Sequence, residues 1–351
     1  MKSIALLNSK LKIKRKLVTS NKSYDGIKFK SKDIVAFKDL SDVFYLSLPS
    51  QINYTMFKVN SGDKVYLNSF FHWRSSILTL MLIRLFKNRV QVFISPRGEI
   101  FDYNINSKKF KKRLYMFVFK KFLQGKNTVF IVSNADEDQA VRKYLGYVRT
   151  EILSNLNDVE LAKRNVVSYS TSSKVRLVFL SRISPKKNLE TCIKIVDILQ
   201  QKLGQNCVEF DVFGPATDAD YLHCLCKSSS VMKYRGEVLP QNVLSVLSQY
   251  DCLLFPSHSE NFGHVISEGM RAGLYIATST NTPWDILDED NNLAGFRSKP
   301  NDAETFTSKL LAYARLSNAQ KSESGIKAQE MVLRLQRSDA VLVKKYETVL
   351  S

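Results

Sequence analysis

What the chain lacks already narrows what it can be. No apolar run approaches the ~18 residues that a membrane-spanning helix needs, and the best stretch, residues 77–83, stops at Arg84. Residues 4–7 are too few for the apolar core of a signal peptide. A protein that at most rests on a membrane is the expectation. Cysteine is scarce: five residues, Cys192, Cys207, Cys224, Cys226 and Cys252, an odd number without regular spacing. Cys224 and Cys226, two apart on an expected helix, have poor geometry for either a zinc knuckle or a disulfide. That excludes a disulfide scaffold and points to reduced core thiols in a cytoplasmic protein. Asp-x-Asp triplets begin at Asp136, Asp218 and Asp288, but on an expected helix or in polar loops. They read as solvated carboxylates, so neither a metal site nor a cofactor is expected.

Acid is also short, and unevenly so. Residues 1–165 carry 31 Lys+Arg against 13 Asp+Glu, a net of +18, whereas the remainder is nearly balanced and the whole chain stands at +19. A domain that basic suits a polyanionic surface, either nucleic acid or acidic lipid headgroups. No pattern interleaves aromatics with the basic residues as RNA-reading modules do, so nucleic acid is set aside. Residues 107–122, with seven basic side chains among Phe110, Leu114, Phe117 and other large apolar ones, read as a basic amphipathic helix. Such a helix points to contact with an anionic membrane surface. Glycine is missing before Gly26.

What is present is the alternation of an α/β protein. With 351 residues, 44% of them apolar, there is room for two domains with sizeable cores. Strands are expected over 14–18, 42–48, 64–67, 90–94, 129–132, 175–180, 208–213 and 231–234, and helices over 75–86, 135–144, 302–316, 318–335 and 339–350. Residues 158–173, rich in Asn, Ser and Thr, read as an interdomain linker.

The most informative stretch is 255–286. A short apolar run ending at Phe255 reads as a buried parallel strand. Pro256 stops it, and a polar loop carries Glu260 away from the strand's carboxyl end. Asn261 or Gly263 can cap the helix that Val265, Ile266 and Met270 anchor to the sheet. Glu268 lies within that helix, Gly273 ends it, and 274–277 form the next strand. A carboxylate and free backbone N–H groups then meet where open α/β sheets bind ligands. Amides for phosphate and carboxylates for hydroxyls fit a nucleotide sugar. Earlier, Arg182 and Lys187 straddle a strand-to-helix turn, so both can point at one diphosphate. Gly214 and Gly236, each ending a strand, allow backbone to approach a flat base.

The run Ser259-Glu-Asn-Phe-Gly-His-Val-Ile-Ser-Glu-Gly-Met-Arg-Ala-Gly273 resembles the paired-glutamate signature of family 4 retaining glycosyltransferases. The resemblance covers nearly all of the chain after residue 10 and is densest over 175–286. It implies the GT-B fold, two Rossmann-like domains facing across a cleft. The divisions would be an acceptor-binding domain over 1–165, a nucleotide-sugar domain over 174–335, and a helix over 336–351 crossing back to the first domain. It implies transfer of a hexose, with retention, from a UDP- or GDP-sugar to a lipid-linked or saccharide acceptor in polysaccharide or O-antigen assembly. A polyprenyl-diphosphate-linked saccharide at the inner face of the plasma membrane is the expected acceptor.

By the resemblance, Glu260 would contact the donor sugar or its phosphate, and Glu268 the ribose hydroxyls. Arg182 and Lys187 would clamp the diphosphate with amides near Gly263, His264 and Val265. On the acceptor side, Arg97 and Glu99 in Ser95-Pro-Arg-Gly-Glu99 match a Pro-Arg-Gly element, and Asn68 takes the place of a frequent histidine. Residues 154–157 resemble an end-of-domain motif without its proline, and Thr282-Pro283-Trp284 a loop near the donor. The family's first strand and glycine-rich turn have no counterpart in the sequence. Either the true start therefore lies upstream or the first β-α unit is missing, and a truncated, non-catalytic binding subunit is the alternative.

Overall fold

The computed structural model describes residues 17–20, 43–87, 89–106, 109–155, 161, 174–204, 206–216, 218–288, 293–337 and 339–350. The chain divides into two compact units, Met1–Leu156 with Asp339–Ser351, and Asn157–Ser338. Residues 14–16 of the first expected strand, Gly26 and nearly all of the 158–173 linker lie outside the described residues.

In the first unit, β1 (Leu17–Ser20) and β2 (Val43–Leu46) pair in parallel as a two-stranded sheet. Helix α1 (Leu48–Phe57) follows, capped where the Ser50 N–H donates to Ser47 Oγ at 3.3 Å. The main sheet is wholly parallel, in the order β3 (Lys64–Leu67), β4 (Gln91–Ile94), β5 (Thr128–Val132) and β6 (Arg149–Ile152). Between β3 and β4 a π-helical stretch, Trp73–Leu78, runs into α2 (Thr79–Phe86). His72 is the exposed cap of that stretch, its Nδ1 accepting from the Ser75 N–H at 3.2 Å. After β4 come α3 (Asp102–Asn106) and α4 (Lys109–Val118), and after β5 comes α5 (Ala135–Leu145). Acids in the first turn of α5 and bases in its last suit the helix dipole.

Every residue of β5 is buried, because this sheet is covered on both faces. The period of two sorts its side chains. Val92, Ile94, Phe130 and Val132 join one cluster with Phe70, Ile83 and Phe119, while Phe93, Val129 and Ile131 join another with Leu153 and Tyr346. Helix α4 is split in the same way. Met116 goes into the core, but Phe110, Leu114 and Phe117 stand 81%, 55% and 60% exposed. They recur at i, i+4 and i+7, on one face of the helix.

The second unit has a six-stranded parallel sheet, formed by β7 (Val175–Leu180), β8 (Val208–Phe213), β9 (Met232–Gly236), β10 (Cys252–Phe255), β11 (Tyr275–Ser279) and β12 (Gly295–Ser298). The spatial order is β12-β11-β10-β7-β8-β9. Its helices are α6 (Leu189–Leu203), α7 (Ala219–Ser228), α8 (Val243–Leu247), α9 (His264–Arg271), α10 (Ala303–Ala314) and α11 (Asn318–Arg337). From β7 the chain builds outward through β8 and β9, then returns to place β10 on the other side of β7. That reversal opens a crevice at the carboxyl ends of β7 and β10, the usual ligand position in such sheets. Helix α12 (Asp339–Leu350) then packs Tyr346 onto the first unit's sheet.

Candidate functional site

Two loops flank the crevice of the second unit. The first, after β7, is held to its neighbour: the Ser181 N–H donates to Phe213 O at 3.0 Å, and the Ile183 N–H to Pro215 O at 2.9 Å. A tight turn over Pro185–Lys187 delivers Asn188, left-handed at φ 60°, to the start of α6. Asparagine tolerates that conformation better than most residues. Its buried side chain donates to Pro256 O and Pro300 O, both at 2.9 Å, and so joins three loops. Arg182 ends up exposed, with no partner among the described residues. Lys187 turns inward.

The second loop, after β10, is pinned from several directions. The His258 N–H donates to Lys186 O at 3.0 Å, and the Glu260 N–H to Asn281 O at 3.1 Å. Asn281 Nδ2 donates to His258 O at 2.8 Å, and Ser279 Oγ donates to Ser257 O. Within this frame Glu260 Oε1 accepts from Lys187 Nζ and, at 2.8 Å, from Ser257 Oγ. The two charged side chains are only 13% and 10% exposed. Sequence reasoning brought Lys187 and Glu260 to one site; their direct ion pair and the part of Ser257 carried no sequence signal.

Gly263, at φ 75°, opens α9 without a side-chain cap. Of the two residues expected to cap this helix, the glycine does so, because a left-handed turn directs the chain into α9 and no Cβ opposes it. Trp284 Nε1 donates to Phe262 O, and the Phe262 ring lies between Trp284, 5.4 Å away, and His264, 4.7 Å away, centre to centre. The loop's far end is gripped by Arg297, whose Nη1 donates to Thr282 O at 2.7 Å while its guanidinium pairs with Asp288. Trp284 is therefore packed, and packed against the turn that leads into α9. Val265 is buried against the sheet, whereas Glu268 and His264, four residues apart, share the half-buried side of α9.

Gly214 and Gly236 differ. The Gly214 N–H donates to Gly236 O at 2.8 Å, and Tyr234 Oη donates to Gly214 O at 2.9 Å. A Cβ on Gly214 would sit 1.8 Å from Ser181 O, so its close approach is to the protein's own backbone. Gly236, at φ 83°, has no atom within 4 Å of a built Cβ and borders open space.

The acceptor-side residues expected in the first unit also come together. Arg97, left-handed at φ 52°, donates through Nε to Asn68 Oδ1 at 2.9 Å, through Nη2 to Tyr66 Oη at 3.1 Å, and through Nη1 to Asn155 Oδ1. It thereby ties the carboxyl ends of β3, β4 and β6. Glu99 accepts from Ser69 Oγ and the Phe70 N–H, each at 2.7 Å, and from the Phe71 N–H at 2.9 Å. Its carboxylate shapes the loop after β3. Beneath them, buried Glu137 accepts from the Gly98 N–H and, at 2.8 and 2.9 Å, from the Ser133 N–H and Oγ. Burial pushes the Glu137 carboxyl above the usual carboxylate range, against the pull of these donors and of Arg97. Nothing in the residue pattern singles out Glu137, which sits in an ordinary acidic first turn.

Chemically, the second unit offers cations and helix-start amides for phosphate and carboxylates for hydroxyl donors. Among the described residues no group of three His, Cys, Asp or Glu side chains can hold a metal ion. Residues 166–330 match the family model described as Glycosyl transferases group 1. No curated protein is similar to the chain in sequence. Among solved structures, S. aureus TarM in a complex containing UDP is 14% identical at a TM-score of 0.66, covering 87% of this chain and 59% of its own. The chain thus spans about three fifths of TarM's length. Anabaena HepE with UDP and glucose is 15% identical at a TM-score of 0.64, covering 87% and 86%. WaaG, a glycosyltransferase involved in lipopolysaccharide biosynthesis, is 15% identical at a TM-score of 0.59, covering 86% and 94%. At this identity the likenesses establish the fold: GT-B, with two Rossmann-like domains.

Proposed function

We propose, from the match of residues 166–330 to the family model of glycosyl transferases group 1, that the protein transfers a hexose from a nucleoside diphosphate sugar. The observation that carries the reading is the meeting of Lys187 and Glu260 at the crevice between β7 and β10, beside the glycine-opened start of α9. The hard part of such a transfer is the charge that grows on the leaving diphosphate. Arg182, Lys187 and the amides around Gly263, His264 and Val265 stabilise that charge without reorganising, which is how electrostatic catalysis works. Glu260 takes hydroxyls of the sugar, Glu268 those of the ribose, and Gly236 lies along the base. With the leaving group held in this way, its phosphate oxygen assists deprotonation of the acceptor on the same face, with retention.

Arg97, Glu99 and Asn68 organise the acceptor side in this reading, and the acceptor is a lipid-linked or saccharide hydroxyl, a polyprenyl-diphosphate saccharide fitting best. The exposed Phe110, Leu114 and Phe117 face of α4, with Lys111 and Arg113 beside it, supports contact with an anionic membrane surface. The direct test measures turnover of UDP- and GDP-sugars by the full chain and by Lys187→Ala and Glu268→Ala. Each substitution should lower kcat/KM by on the order of 10² or more. Wild-type rates in both variants would end the assignment.

A further inference from the structure

Lys187 is neutralised before any ligand arrives. Its ammonium meets Glu260 Oε1 and lies 5.3 Å from the centre of the Phe255 ring, with both charged groups nearly out of water. Arg182, by contrast, is exposed and unengaged among the described residues. A diphosphate that is to gain Lys187 must therefore take it from Glu260. Among the described residues, the abandoned carboxylate would then keep a bond only from Ser257 Oγ, at 2.8 Å, while standing one-tenth exposed. Leaving a buried charge without its partner is costly, and a diphosphate cannot offset the loss. Its oxygens only accept, and their charge repels the carboxylate.

A hexose on the distal phosphate changes this balance, because its hydroxyls are donors that can replace the ammonium at Glu260. We propose that Glu260 is a sugar-dependent gate on Lys187. It withholds the ammonium from a bare nucleoside diphosphate and releases it when a hexose supplies hydroxyl donors in exchange. Once the hexose has been transferred, the carboxylate reclaims Lys187, and the spent diphosphate leaves. The inference rests on the donor site described under Proposed function and adds a selection between donor and product there.

The test is calorimetric titration of the full chain with UDP, GDP and their glucose and mannose conjugates, for wild type, Glu260→Gln and Glu260→Ala. Glutamine keeps the volume and the acceptor oxygen facing Lys187 but carries no charge. Wild type should hold the conjugate at least about tenfold tighter than the bare diphosphate, and Glu260→Gln should bind the bare diphosphate about tenfold tighter than wild type does. Glu260→Ala should shift in the same direction, so a fold defect in one variant leaves the other to decide, with melting curves as the check. Bare diphosphate bound by wild type and no tighter by either variant overturns the gate alone. If no nucleotide binds wild type, the donor site falls, and the gate with it.

Discussion

Replacing Gly214 with alanine tests how the site is built. Gly214 has φ 132°, and its added methyl would lie 1.8 Å from Ser181 O and 2.6 Å from Ser181 C. Both are backbone atoms, so no rotamer relieves the clash. Real Cβ contacts essentially never fall below 3.0 Å, so the strand ends must part by at least 1.2 Å, the difference from 1.8 Å. Overpacking of this kind costs about 1–3 kcal/mol. Left-handed strain adds about 1–2 kcal/mol, and one broken stitch between β7 and β8 about 1 kcal/mol. The sum, roughly 3–6 kcal/mol, is a large part of the ~5–15 kcal/mol that holds a domain folded. Gly214→Ala should therefore lower the melting temperature by on the order of 10 °C, read by calorimetry or by near-UV circular dichroism. It should also weaken nucleotide-sugar binding about tenfold, because the displaced loop carries Arg182. Gly236→Ala is the control. Its φ is also positive, but nothing stands within 4 Å of the new methyl, so only the strain of about 1–2 kcal/mol remains. Equal losses at the two glycines, or melting of Gly214→Ala within about 2 °C of wild type, would refute the steric account.

Two other measurements bear on the first unit. Phe110→Ser with Phe117→Ser should weaken flotation with phosphatidylglycerol vesicles at low salt by about tenfold or more without lowering the melting temperature, since both rings are solvent-exposed; unchanged flotation would remove α4 from membrane contact. Glu137→Gln should cost about 1–3 kcal/mol, because an amide nitrogen must face one of three donors. Because the folded carboxyl titrates above its unfolded value, the wild type's advantage is full below the ordinary glutamate range and shrinks as pH rises through the folded value. Denaturant titrations of both proteins across that window read the difference, and a gap that widens with pH would contradict the sign.

The long periodic elements were legible: the strands at 175–180 and 208–213 and the helix at 339–350 lie where the pattern puts them. Two other elements were not. β12 has four residues, one a glycine and one an arginine, and is held in place by its ladder with β11 rather than by pattern. Helix α1 has an undistinguished apolar pattern, and only Ser47 and Pro49 mark its start. At the site, residue types announced Lys187, Glu260 and Gly263. Their supports were silent, because the bonds of Asn188 to Pro256 and Pro300 span 68 and 112 residues of sequence. Motif spacing also could not tell a glycine that faces a ligand from one that faces its own chain; Gly214 is of the second kind.

The polypeptide interrupts its first unit to make the second, then goes back. Phe93, Val129 and Ile131 leave the ribosome long before Tyr346, the residue that roofs them, and its hydroxyl reaches the carbonyls of Leu153 and Ser154 only when residues 339–350 have emerged. During synthesis the second unit can complete its core while one side of the earlier sheet is still bare. Premature termination anywhere upstream of the closing helix would therefore leave a sticky apolar sheet face, a substrate for chaperones and proteases, attached to a second unit whose own core is complete.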